Sequence, residues 1–130
     1  MGERANFSTG TLWEPVVGYS RAVRVGSMVW VAGTTATGPD GNIVGRGDPA
    51  AQTRQVLENV KSALARAGAR LEHVVRTRIY VRNVADWETI GRVHGQYFGQ
   101  VRPAATLVEV SGLVDPDMLV EIEVDACIAD

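Results

Sequence analysis

The chain has 130 residues, 45% of them hydrophobic, enough for one domain with its own core and too few for two ordinary ones. With 13 Lys and Arg against 15 Asp and Glu the net charge is about −2, so there is no electrostatic case for a nucleic-acid partner. The longest unbroken apolar run, residues 28–32, is only five residues and cannot span a membrane, while the lone Cys127 rules out an internal disulfide and fits a reducing compartment.

Taken in chain order, the opening MGERANFSTG has no apolar h-region, so a secretory signal is not expected, and Asn6 stands where a myristoylation signal takes Ser or Thr. A cytoplasmic location follows as the expectation. Residues 1–14 lack periodicity and read as a loose or edge segment. Residues 19–25 and 28–35 read as two strands joined at Gly26-Ser27, a pair suited to a two-residue hairpin turn. Pro39-Asp40-Gly41-Asn42 is a second turn signal, and Ile43-Val44 a short edge strand. Asp48 then offers an N-cap and Pro49 the first helical position. Val56, Leu57, Val60, Ala63, Leu64 and Ala67 recur at helical spacing up to a stop at Gly68.

Residues 73–82 alternate: Val75, Thr77, Ile79 and Val81 point one way, and Arg76, Arg78, Tyr80 and Arg82 the other. A second helix is predicted over 86–99 from the stripe Trp87, Ile90, Val93, His94, Tyr97 and Phe98. Residues 104–110 and 118–128 read as the last two strands. The order is β-β-α-β-α-β-β, an α+β chain whose two helices cover one face of a sheet, with the helix-separated strands free to pair in parallel. The other face then carries charge, and a chain this short seldom leaves a whole sheet face in water, so self-association is expected.

Several local patterns invite chemistry. Gly45-Arg46-Gly47-Asp48-Pro49-Ala50 has the letters of a dinucleotide fingerprint, but only a two-residue apolar stub precedes it and Asp48 puts a carboxylate where pyrophosphate would bind. A loop with a helix cap explains it, and the Arg46-Gly47-Asp48 tripeptide is taken as chance. His73 and His94 fall on different elements, without metal-ligand spacing, and His94 lies on an apolar stripe, as a core or interface histidine would. No Ser sits in a G-x-S-x-G elbow, and Cys127 shares the parity of Asp125 near a strand end. In Glu121-Ile122-Glu123-Val124-Asp125, alternation lines three carboxylates along one strand face. They repel unless water or cations face them, and the Arg76/Arg78/Arg82 strand is the obvious partner. Either this is a salt-bridged sheet face, or one carboxylate positions a water beside a cationic binding group.

The stretches V-G-Y-S-R-A-V (17–23), V-G-S-M-V-W-V-A-G (25–33), Q-T-R-Q-V-L-E-N-V-K (52–61), R-P-A-A-T-L-V-E-V (102–110) and V-E-I-E-V-D-A (120–126) resemble the YjgF/RidA family, also called the Rid or endoribonuclease L-PSP family. The likeness runs from about residue 16 to residue 128. It implies a fold similar to the small trimeric chorismate mutases: a homotrimer with sheets packed into a central barrel, helices outside, and small-molecule ligands in the clefts between subunits. It also implies hydrolysis of reactive enamines and imines, such as 2-aminoacrylate, to keto acids and ammonia, without metal or organic cofactor.

By the same resemblance, Glu121 matches the family's water-positioning Glu, Tyr19 its pocket Tyr, and Gly33 the glycine whose backbone lines the pocket. The family's P-A-R-[ST] motif, whose Arg binds the substrate carboxylate, reads Pro103-Ala104-Ala105-Thr106 here. A methyl at Ala105 cannot replace a bidentate guanidinium, so the standard 2-aminoacrylate activity is not expected. The family's common cysteine is Leu107, a more apolar lining. Arg102 precedes the motif, but Arg76 and Arg78 are the better substitutes, unless they pair with Glu121, Glu123 or Asp125 instead. Two readings stay open: a Rid-type enzyme with Glu121 positioning water, or a non-catalytic trimer that binds a small ligand or partner in the same cleft. A ribonuclease rests only on the family's older name.

Overall fold

A computed structural model describes residues 3–129. Its strands are β1 (Arg4–Phe7), β2 (Ala22–Val25), β3 (Met28–Thr34), β4 (Val74–Val81), β5 (Ala104–Glu109) and β6 (Val120–Cys127). Its helices are α1 (Trp13–Val17), α2 (Pro49–Arg66) and α3 (Trp87–Phe98). The strands form one six-stranded sheet in the order β1-β2-β3-β6-β4-β5. Only β4 and β5, joined through α3, are parallel; every other neighbouring pair is antiparallel. The α+β architecture expected from the alternating patterns is the one found.

The β2–β3 hairpin turns at Gly26, whose φ of 60° is the left-handed conformation a tight primed turn asks of its first residue. In β6, Val120, Ile122, Val124 and Ala126 are buried and meet α2. In β4, Thr77, Ile79 and Val81 are buried as well, so one sheet face is the core. Helix α2 lays Val56, Leu57, Val60 and Leu64 across it, each fully buried. Its N-terminus is capped as the sequence predicts, the Asp48 carboxylate accepting from the Ala51 N–H at 3.1 Å. That cap accounts for the glycine-flanked loop before α2. Helix α3 packs beside α2, and His94 lies within that packing, 2.9 Å from the Thr77 hydroxyl and against the Phe98 ring. Burial lowers the His94 pKa and favours neutral imidazole.

Four expectations need adjustment. Val75, expected on the face of Thr77 and Ile79, is 48% exposed, because β4 slips register between Val74 and Arg76. The segment expected to be loose or at an edge includes the edge strand β1, paired with β2. Beyond it, α1 is a helix that the sequence did not announce. Ile43 makes only an isolated bridge to Thr37, not an edge strand of the sheet. No helix among the described residues is long and apolar enough to cross a membrane.

Candidate functional site

The sheet face turned away from the helices carries the alternate residues of each strand. On β6 these are Glu121, Glu123 and Asp125, and on β4 they are Arg76, Arg78 and Tyr80. Register sets Arg78 against Glu123 and Arg76 against Asp125. The Arg78 guanidinium reaches the Asp125 carboxylate at 3.2 Å and the Glu123 carboxylate at 4.0 Å. The Tyr80 hydroxyl also donates to Glu123, and that bond, with burial, holds its pKa above the ordinary phenol value. Arg78 therefore pairs with two carboxylates of the acidic run, while Arg76 enters no ion pair among the described residues.

Glu121 stands apart from this network. It opposes Tyr80 in register, and β3 runs along its other side. A cavity of about 260 Å³ opens there, lined by Tyr19, Arg21, Gly33, Met118 and Glu121 among others, with Trp13 of α1 and Val114 at its margin. That volume suits a small metabolite. The Glu121 carboxylate lies close against Gly33: a Cβ at this position would collide with it and oblige that side chain to move. The β3–β6 register is irregular between Val31 and Thr34, so the strand is displaced just where Gly33 meets Glu121.

Burial raises the Glu121 pKa above its usual value, the charge of Glu123 adds to the rise, and the Arg21 guanidinium opposes it. The sequence offered Arg76 and Arg78 as cations that could pair with this carboxylate. The cation that acts on it is Arg21, and desolvation outweighs it.

Of the positions singled out from sequence, Tyr19, Gly33 and Glu121 meet at this cavity. Arg76 and Arg78 share the sheet face but do not line it. Ala105 lies on β5, in register with Thr77 of β4. Since β5 is one edge of the sheet and β2 is nearly at the other, Ala105 is remote from Tyr19 within a chain. Arg102 adopts a left-handed φ of 56°, its N–H closing the end of α3 on the Phe98 carbonyl at 2.8 Å.

Arg21 was missed. It follows Tyr19 by two residues, so an extended segment there puts both on one face, and that parity was the available signal. Its Nη2 donates to the Gly33 carbonyl at 2.6 Å, and its guanidinium carbon lies 5.7 Å from the Tyr19 ring centroid. Trp13 and Val114 come from a one-turn helix and a loop, where no periodicity marks them.

The sequence matches the family model described as Endoribonuclease L-PSP over residues 10–128. It is 41% identical over 118 residues to SCO2049 of Streptomyces coelicolor, a match covering 91% of this chain and 87% of that protein. It is also 41% identical over 108 residues to 3-aminoacrylate deaminase RutC of Acinetobacter baylyi, covering 83% of this chain and 85% of that one. Among solved structures, Rv2704 of Mycobacterium tuberculosis, a member of the YjgF/YER057c/UK114 family, superposes with a TM-score of 0.88 at 49% identity, covering 97% of this chain and 100% of that chain. Sequence and fold agree along nearly the whole length, and the chain belongs to the endoribonuclease L-PSP family, the YjgF/RidA proteins.

Proposed function

We propose that this protein hydrolyses a small enamine or imine, with Glu121 positioning and activating the attacking water. The observation that carries the reading is a half-buried carboxylate with a raised pKa, held against the Gly33 backbone at the wall of a small cavity. A carboxylate made more basic by burial is a better proton acceptor near neutral pH than an exposed one. Water held by Glu121 attacks the carbon of a protonated imine. The C–O bond forms, the C=N π pair moves to nitrogen, and the water's proton passes to Glu121. The proton then returns to nitrogen, ammonia leaves as the carbon–nitrogen bond breaks, and the carbinol oxygen becomes the carbonyl, giving its own proton to the carboxylate. The proton left on Glu121 passes to the released ammonia, so the balance is protonated imine plus water to carbonyl compound plus ammonium, with no cofactor invoked. The resemblance to a 3-aminoacrylate deaminase supports the class of reaction.

In this proposal the working unit is a homotrimer in which β5 of one subunit comes alongside the Glu121 cavity of the next. Ala105 then faces substrate where relatives of the P-A-R-[ST] type present an Arg, and 2-aminoacrylate is turned over weakly. Ala105 also favours a second reading, a non-catalytic trimer that binds a small ligand in the same cleft. The test is ammonia release from imines and enamines generated in situ, measured above the spontaneous rate. The enzyme reading expects acceleration on at least one imine, lost by about 10²-fold in Glu121→Gln, the scale of lost general-base help. Acceleration on none, with saturable binding retained, gives the binding module.

A further inference from the structure

We infer that Arg21 is the anion anchor of the Glu121 cavity, the residue that grips a carboxylate on the substrate or ligand. The inference rests on the proposed small-molecule site but not on its catalysis. A guanidinium has five N–H donors and cannot shed its charge. Here the Gly33 carbonyl takes one of them, at 2.6 Å. Nε is buried without a hydrogen-bond partner, and none of the ion pairs among the described residues includes Arg21. Arg78, by contrast, is held by both Asp125 and Glu123. Arg21 is thus a cation at the wall of a cavity, near enough to lower the Glu121 pKa, with donors left over.

Its setting suits recognition of an anion. Arg21 lines both the Glu121 cavity and a second, hydroxyl-rich one of about 280 Å³. The Gly33 carbonyl and the Tyr19 ring fix the guanidinium on two sides, so little side-chain freedom is left to lose on binding. Gly33 also ties the anchor to the reacting group, since its carbonyl holds Arg21 while its Cα admits Glu121. One end of a small acid would meet Arg21 while the other is presented to the carboxylate that handles water.

Arg21 restores a charge that Ala105 lacks without restoring its position. Arg21 immediately precedes β2, and residue 105 is on β5 at the far edge of the sheet. A carboxylate gripped by Arg21 therefore does not superpose on one gripped from residue 105. Weak turnover of 2-aminoacrylate is compatible with strong preference for acids over neutral analogues.

The experiment uses 2-oxobutyrate, a stable keto acid of the product class, and its uncharged amide, titrated by NMR into the full-length wild type, Arg21→Gln, Arg21→Lys and Glu121→Gln. Wild type is expected to favour the acid over the amide by tenfold or more. Arg21→Gln should erase that preference by weakening the acid alone, Arg21→Lys should keep part of it, and Glu121→Gln should keep or strengthen it. Thermal melts of each variant separate lost binding from lost folding, and an unfolded Arg21→Gln leaves Arg21→Lys to carry the comparison. No preference in wild type, a preference that survives in folded Arg21→Gln, or one undiminished in Arg21→Lys, overturns the assignment. If preference depends on Arg21 while no imine is hydrolysed, the anchor stands and the enzyme reading falls. Hydrolysis indifferent to Arg21 gives the reverse.

Discussion

An ionised carboxylate pressed against the Gly33 backbone is poorly solvated, and this lifts the Glu121 pKa above its ordinary value of 4.5. The linkage has a definite sign. A carboxyl whose folded pKa exceeds its unfolded one stabilises the fold below the unfolded value, and that contribution is lost as pH rises through the folded value. At neutral pH the charged form of Glu121 is therefore a cost carried by the fold. Glu121→Gln is expected to melt higher than wild type at pH 7.5, with the difference closing as pH falls toward 4.5. Melts at both ends of that range check it. A variant less stable than wild type at pH 7.5 would mean that Glu121 serves an ion pair, the role the sequence left open beside Arg76 and Arg78. Glu14 runs the other way. Burial alone would raise its pKa, but hydrogen bonds from Ser8, Thr11 and Thr9 pull it down to about 2. Its contribution to stability is held above pH 4.5 and lost on acidification through that lower value.

Elements with one buried face declare themselves in sequence, and elements made by tertiary contact do not. The alternation of β4 and β6 and the stripe of α2 are visible because each buries every second residue or one helical face. The salt-bridged face was legible for the same reason. The five residues of α1 are too few to show a period, and the loop before β6 brings Val114 and Met118 to the cavity through long-range bonds. Strand order was hidden too, because β6, last in sequence, inserts between β3 and β4. Gln52 shows how the loop is held. Fully buried on α2, it donates to the Asp117 carbonyl at 2.9 Å and the Gly45 carbonyl at 3.2 Å, and accepts from the Leu119 N–H at 2.9 Å. Gln52→Leu keeps the volume and strands these backbone groups. It is expected to lose about 2–4 kcal/mol in denaturant unfolding, the cost of leaving several buried polar groups unmet. A loss below about 0.5 kcal/mol would show that the loop stands without it.

At the scale of the molecule, helices cover only one face of the sheet. The other exposes 41% of Trp30 beside a paired set of charges, Arg78 with Asp125 and Glu123. Bare Trp beside carboxylates that share the Arg78 guanidinium is a surface that can be buried with its ions partly paired. A second copy presenting the same face needs about 800 Å² from each partner for a stable contact. The homotrimer of the proposed function would use this surface, and it would bring β5 of one subunit toward the Glu121 cavity of another. Sedimentation velocity at micromolar concentration is expected to give a single species near three times the chain mass. Trp30→Lys isolates the cause. Trp30 is in register with Asp125, so a lysine there meets a carboxylate within its own chain and should leave the monomer folded. Across an interface the same lysine sets ammonium groups against one another. The variant is expected to sediment as a folded monomer and to lose imine hydrolysis, because the cleft needs its neighbour. A wild-type monomer would remove the trimer from the proposal, and a Trp30→Lys trimer would place the contact on another face.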